Sequence, residues 1–238
     1  MSAGNSNSDS VEIGGFNRLA DRWWDPAGEM RYLHRMNPVR LAFIAGHARL
    51  GGARIVDVGC GAGLLSESLA LAGAEVLGID LAEDLLAVAR LHQQEGAVAH
   101  LRYERDTAEA LAERSPAAFD AVTCLEMLEH VPDPAAVVAA CARLLRPRGT
   151  AFFSTINRNA AAWMVTVAAA EYLLGVLPRG THEYSRFIRP SELARMARAA
   201  GLELQDMKGL LPDEAGGDFR LGEDLSVNYI ASFRRKSP

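Results

Sequence analysis

Short apolar runs recur along the chain, each followed by a segment with the 3.6-residue spacing of a helix. Residues 55–58 read as a buried strand entering a glycine-rich turn, and 64–70 continue as a helix. A second strand follows at 75–79, then a helix over 82–94 that stops at Gly96, then strands at 101–104 and 119–125. The helix at 134–145 carries proline in its first turn, and Arg146 to Gly149 turn the chain into a fifth strand at 151–156. This alternation predicts an α/β fold, a doubly wound and mostly parallel sheet with ligands at the C-terminal ends of its strands. A helix opening at Ser191 and two last strands, 202–204 and 227–233, complete an expected seven-stranded sheet, the last two as an antiparallel edge hairpin.

Two stretches break the rhythm. Residues 16–50 hold Trp23, Trp24 and Tyr32 ahead of a helix at 41–50, and can cover a ligand site or pack outside it. Residues 158–190 form a helical insertion whose part 160–177 is alanine-rich and apolar, with Glu171 its single charge. That part only just reaches the roughly 18 apolar residues of a spanning helix, and Glu171 is costly in a bilayer. It reads either as a buried lid helix or as a helix lying on a membrane surface. Residues 1–15 read as a disordered start, and 16–238 as a single domain.

Composition narrows the class. The 238 residues are 49% hydrophobic and 23% charged, as in an ordinary globular protein. A net charge of −5 argues against broad nucleic-acid binding. Cys60, Cys124 and Cys141 show no paired spacing and read as buried, reduced thiols of a cytosolic protein.

Candidate chemistry starts at Asp57-Val58-Gly59-Cys60-Gly61-Ala62-Gly63. A strand, a tight glycine turn and a helix N-terminus present bare backbone to a ligand. The dinucleotide fingerprint would need a glycine where this chain has Leu64. The order acid-x-Gly-x-Gly-x-Gly instead resembles the first motif of class I methyltransferases that use S-adenosylmethionine. Asp57 then helps to hold the cofactor's cationic end through the loop backbone or water; the alternative is a glycine turn kept for packing. Asp80 ends the second strand, close to the roughly 20-residue spacing of a ribose-binding acid, and can instead cap the next helix. Asp106 can accept from an adenine amino group or cap the helix at Ala108. Arg35 and Arg40 are candidates to pair with a carboxylate.

After the fourth strand ends at Leu125 comes Glu126-Met127-Leu128-Glu129-His130. One helical turn would put Glu126, Glu129 and His130 on one face, as a divalent-metal site or with His130 as a general base. The structural alternative is that the acids favour a helix N-terminus and His130 shapes the pocket.

Four further stretches make the likeness more specific: Thr123 to Pro134, Phe152 to Asn159, Arg22 to Asp25, and Leu33 to Arg40. Together with Asp57 to Gly61 they resemble the ubiquinone-biosynthesis O-methyltransferases, from about Phe16 to Tyr229. That resemblance implies a Rossmann-like class I fold and O-methylation of a polyprenylated phenol or quinol, 2-polyprenyl-6-hydroxyphenol and 3-demethylubiquinol. It implies cofactor contacts at Arg40, Gly59, Asp80 and Leu125, with Gly61 and Gly63 in the same loop. It also implies a divalent metal, usually Mg2+, at Glu126, Glu129 and His130. The insertion is tied by the same resemblance to peripheral attachment at the inner membrane surface, beside other ubiquinone-biosynthesis enzymes. Competing functions are methylation of another small molecule or a tRNA base, and a non-catalytic cofactor-binding scaffold.

Overall fold

The computed structural model describes residues 7–17, 19–160, 162–163, 184–213 and 217–237. Its centre is an eight-stranded sheet in the order β3-β2-β1-β4-β5-β8-β6-β7. The strands are β1 (Arg54–Val58), β2 (Glu75–Asp80), β3 (Leu101–Arg105), β4 (Phe119–Leu125), β5 (Leu145–Ile156), β6 (Leu202–Pro212), β7 (Phe219–Gly222) and β8 (Asn228–Arg235). The first five pair in parallel, whereas β8 runs antiparallel between β5 and β6, and β7 closes the edge against β6. Strand order reverses between β1 and β4, which opens a crevice above their C-terminal ends.

The doubly wound reading holds, with corrections at the edge. The sheet has eight strands rather than seven, because four-residue β7 is too short and too glycine-flanked to register as a strand. The last two expected strands are neighbours, but β8 lies inside the sheet and β7 forms the edge. Consecutive side chains on β5 face opposite layers: Phe152 packs with Phe43, Ile44 and Leu69 on one side, Phe153 with Phe233 and Leu193 on the other. Helices α2 (Arg31–His47), α3 (Leu64–Leu71) and α4 (Glu83–Glu95) cover the first face. Helices α5 (Ala108–Arg114), α6 (Pro134–Leu144) and α7 (Pro190–Ala199) cover the second.

Helix α1 (Ser10–Asn17) occupies part of the stretch read as disordered. Helix α2 starts ten residues before the expected position and runs through Pro38, whose presence hides it from a propensity reading. Between α1 and α2, Leu19, Trp23 and Met30 pack against Ala62, Ala82 and Leu85, so this segment sits on the glycine turn. All three cysteines are buried thiols. The expected apolar helix 160–177 lies, beyond Trp163, outside the described residues.

Candidate active site

A cavity of about 760 Å³ opens over the crevice, within the roughly 300–1,000 Å³ usual for ligand sites. One half is built by the turn after β1. Gly59, Gly61 and Gly63 have φ of 70°, 55° and 89°, the left-handed region that glycine enters without strain. A Cβ on Gly59 would sit 2.5 Å from Met127 Cγ, and one on Gly63 2.1 Å from the Tyr103 hydroxyl. The turn is therefore close-packed from below and bare backbone above.

Asp80, at the end of β2, accepts hydrogen bonds from Gly61 N and Ala82 N, both 2.9 Å. It thus ties the glycine turn to the entry of α4, although Ala82 is that helix's cap residue. Burial raises its pKa against these bonds. Asp57 is buried beneath the turn, with its oxygens accepting from Ser66 Oγ and Thr123 Oγ1, each at 2.7 Å. Burial pushes its carboxyl up to about 6, the two hydroxyl bonds opposing. Asp57 also lines the cavity, but its hydrogen bonds hold α3 and β4 to the turn. Asp106 lines the cavity too, bonded to Thr107 N at 2.8 Å and to Arg114 at 2.6 Å. The cap of α5 is Thr107, so the capping alternative for Asp106 fails.

The other half is built by β4, β5 and β8. Glu126 stands at φ 54°, a left-handed position that costs a residue with a side chain about 1–2 kcal/mol. Three neighbours hold it there: Ser154 Oγ at 2.6 Å, Asn228 Nδ2 at 2.9 Å and Arg40 Nη2 at 3.0 Å. Glu129 is buried and accepts from Thr155 Oγ1 at 2.8 Å. Burial, reinforced by Glu126, pushes its carboxyl up to about 7. His130 meets Glu12 of α1, Nδ1 to Oε2 at 3.2 Å, and the edge of Phe16. Burial opposes its charge, but the bond to Glu12 and the three carboxylates around it raise its pKa on balance.

Glu126, Glu129 and His130 all line the cavity, yet not on one helical turn. The turn is a 3-10 helix over Leu128–His130, and Glu126 stands outside it. Among the described residues no three His, Cys, Asp or Glu side chains converge as a metal cage. Ser154 and Arg40 bond to Glu126 Oε1 and Asn228 to Oε2, so Glu126 is held by protein partners rather than turned with Glu129 and His130 toward one point.

The same site suits an adenosyl donor better. Asp80 offers a carboxylate at the strand end, Gly59, Gly61 and Gly63 present no side chain, and Leu125 forms a half-buried wall. Arg40 is 5% exposed and its Nε has no hydrogen-bond partner, a buried donor fitted to a carboxylate. Arg35 is exposed and lies away from the cavity.

Several residues here have partners that the sequence does not specify, and the aromatics of 16–50 take the covering place that was one of their two alternatives. Trp23 lines the cavity beside Gly61, and Trp24 donates to Ala62 O at 2.9 Å while stacking on His92. Asn37 holds Leu64 O and Ser68, and Asn228 reaches Glu126 across 102 residues of chain. Ser154 and Thr155, within the stretch Phe152 to Asn159, are the hydroxyls that seat Glu126 and Glu129.

Residues 27–206 match the family model of a methyltransferase domain. A ubiquinone biosynthesis O-methyltransferase of Methylococcus capsulatus is 53% identical, covering 96% of this chain and 97% of the relative. One from Ralstonia nicotianae is 56% identical, covering 97% of this chain and 96% of the relative. Among solved structures, magnesium protoporphyrin IX methyltransferase from Synechocystis PCC 6803 with bound SAH superposes with a TM-score of 0.70 at 20% identity, over 95% of this chain and 99% of that one. A [4+2]-cyclase, SpnF, superposes at 0.63 and 18% identity, over 84% and 80% of the two chains, so the fold alone does not settle the chemistry.

Proposed function

The chain belongs to the ubiquinone biosynthesis O-methyltransferases, and on that premise we propose that it moves the methyl group of S-adenosylmethionine to a hydroxyl of a polyprenylated catechol or quinol. The acceptors are 2-polyprenyl-6-hydroxyphenol and 3-demethylubiquinol. What carries the reading is one cavity that Asp80 and the Glu129–His130 turn share, in a chain matched by such enzymes over nearly its full length.

Asp80 would hold the donor's ribose hydroxyls, Arg40 its carboxylate, and Leu125 and Asp106 would receive its adenosine, all four lining the one cavity. The donor supplies an activated methyl on sulfur. The acceptor ring lies across the crevice beside Glu129 and His130. A phenol with a pKa near 10 is a poor nucleophile at neutral pH, so it must lose its proton during transfer. His130, held by Glu12, would take that proton as the methyl group passes from the donor's sulfur to the oxygen. Glu126 keeps Arg40 and Asn228 in place rather than acting on substrate.

The acceptor's greasy tail calls for a membrane surface, at which the protein would act as a peripheral enzyme. Among the described residues no helix is long and apolar enough to cross a membrane.

Methyl-labelled donor, offered with a farnesylated catechol, an unprenylated catechol and bulk tRNA, tests the reading. Label is expected in the prenylated catechol, and His130→Gln should lower kcat at least about 100-fold with SAH affinity unchanged. Label entering tRNA instead refutes the function; full activity of the variant refutes the base.

A further inference from the structure

Beyond the reacting ring, the cavity continues along a wall that the function above does not use. It is made by the β6–β7 hairpin at the sheet edge. The pairs Leu210↔Leu221 and Pro212↔Phe219 put these four side chains on one face of the hairpin. Leu210, Pro212 and Phe219 of this face line the cavity, as does Leu211 from the other face, whereas Leu221 does not. Behind them Leu210, Phe219 and Leu221 pack with Met36 and Phe43 of α2, which makes the wall rigid.

The wall is continuous with the chemistry. Asn228, which holds Glu126, is followed backwards along the chain by Val227 and Ser226, also in the lining, and these lead to Phe219. That path exists because the return after β7 crosses tightly over β6. A Cβ on Gly209 would lie 1.8 Å from the Asp224 carbonyl oxygen, so a side chain there would push the return away. From the His130 turn outward, the lining thus passes from carboxylates and amide to leucine, proline and phenylalanine.

Resting on the function proposed above, we propose that this face of the β6–β7 hairpin binds the first isoprene units of the acceptor, with Phe219 the residue that selects a prenylated ring over a bare one. An apolar chain attached to a polar ring needs such a change of lining at about one ring's width from the reacting oxygen. Phe219 is half-buried on an edge strand, so its ring packs at the margin of the core and also lines the cavity. A wall of this kind binds ground state and transition state alike, so it acts on KM rather than kcat.

The test compares the full-length wild type with Phe219→Ala and Phe219→Leu, using farnesylated and unprenylated catechols at saturating donor. Phe219→Ala should raise KM for the farnesylated acceptor about tenfold, the scale of losing most of one buried aromatic contact. Its kcat, its SAH affinity and its kcat/KM for the unprenylated catechol should stay within about twofold, and Phe219→Leu should recover most of the loss. Equal losses on both acceptors, or none on the farnesylated one, overturn the proposal. A wild type that methylates neither catechol overturns the function itself, a separate result. If Phe219→Ala proves unfolded by SAH calorimetry, Phe219→Leu decides alone, with a two- to threefold KM increase confined to the farnesylated acceptor expected.

Discussion

Asp57 offers a quantitative check on the site, because its carboxyl is buried and its surroundings are simple. Its ordinary pKa is 3.8; burial pushes it up to about 6, with Ser66 and Thr123 opposing. A raised carboxyl pKa means that the native state holds a proton the unfolded chain has released. The associated stability is fully present below 3.8 and is lost as pH rises through 6. At ~1.36 kcal/mol per pKa unit, ionising Asp57 in place costs about 3 kcal/mol by neutral pH. Asp57→Asn is near-isosteric, stays uncharged, and can bond both hydroxyls after they rotate. Wild type and variant should therefore have similar stability near pH 4, and the variant should gain about 3 kcal/mol on the wild type by pH 7. For a chain of this size that corresponds to roughly 6–12 °C in Tm. Urea unfolding of both proteins from pH 4 to 8 reads the difference directly, since other titrating groups cancel. A difference that is flat with pH, or that favours the wild type as pH rises, refutes the reading of Asp57 as a strained buried anion.

Two further outcomes follow from the packing of the glycine turn. Gly63→Ala combines left-handed strain of about 1–2 kcal/mol with overpacking of about 1–3 kcal/mol against Tyr103. A Tyr103→Leu background should relieve only the second part, as a double-mutant cycle in urea will measure; full rescue would mean that φ costs nothing there. Trp24→Ala removes a flat stack on His92 with centroids 3.4 Å apart and the bond to Ala62 O. Donor affinity by calorimetry should fall about five- to tenfold, with roughly 1–3 kcal/mol lost from stability; unchanged affinity would detach the N-terminal cover from donor binding.

The parallel half of the sheet was legible because its strands are apolar runs with local boundary signals, and Asp80 and the glycines stand at fixed offsets within one βαβ unit. What was not legible is non-local. Nothing beside Glu12 in the chain marks it as the partner of His130, 118 positions away. The helical face assigned to Glu126, Glu129 and His130 failed for a local reason: Glu126 takes a left-handed conformation that i, i+3, i+4 spacing cannot foresee, and Ser154, Asn228 and Arg40 impose it. Helix α2 was cut short in the reading by Pro38, and β7 by its four-residue length. In each case tertiary contacts overrode a local pattern.

The two sides of the cavity are held by different physics. The floor is the ends of β1, β2 and β4, locked by ladder hydrogen bonds and a continuous apolar core. The cover is residues 7–37, tied down by scattered polar links: Trp24 to Ala62, Asn37 to Leu64, Glu12 to His130, and Arg186 to Asp9 and Glu12. Partly exposed ion pairs of this sort contribute about 0–1 kcal/mol each, and the small cluster of Leu19, Trp23 and Met30 adds the apolar share. The floor thus sets the fold, while the cover is held by only a few kcal/mol that bound donor can supplement through Trp23. Removing one tie therefore weakens donor binding by a measurable factor and leaves the sheet intact, which is why Trp24→Ala is expected to lose donor affinity together with only the modest stability carried by its stack and its bond to Ala62.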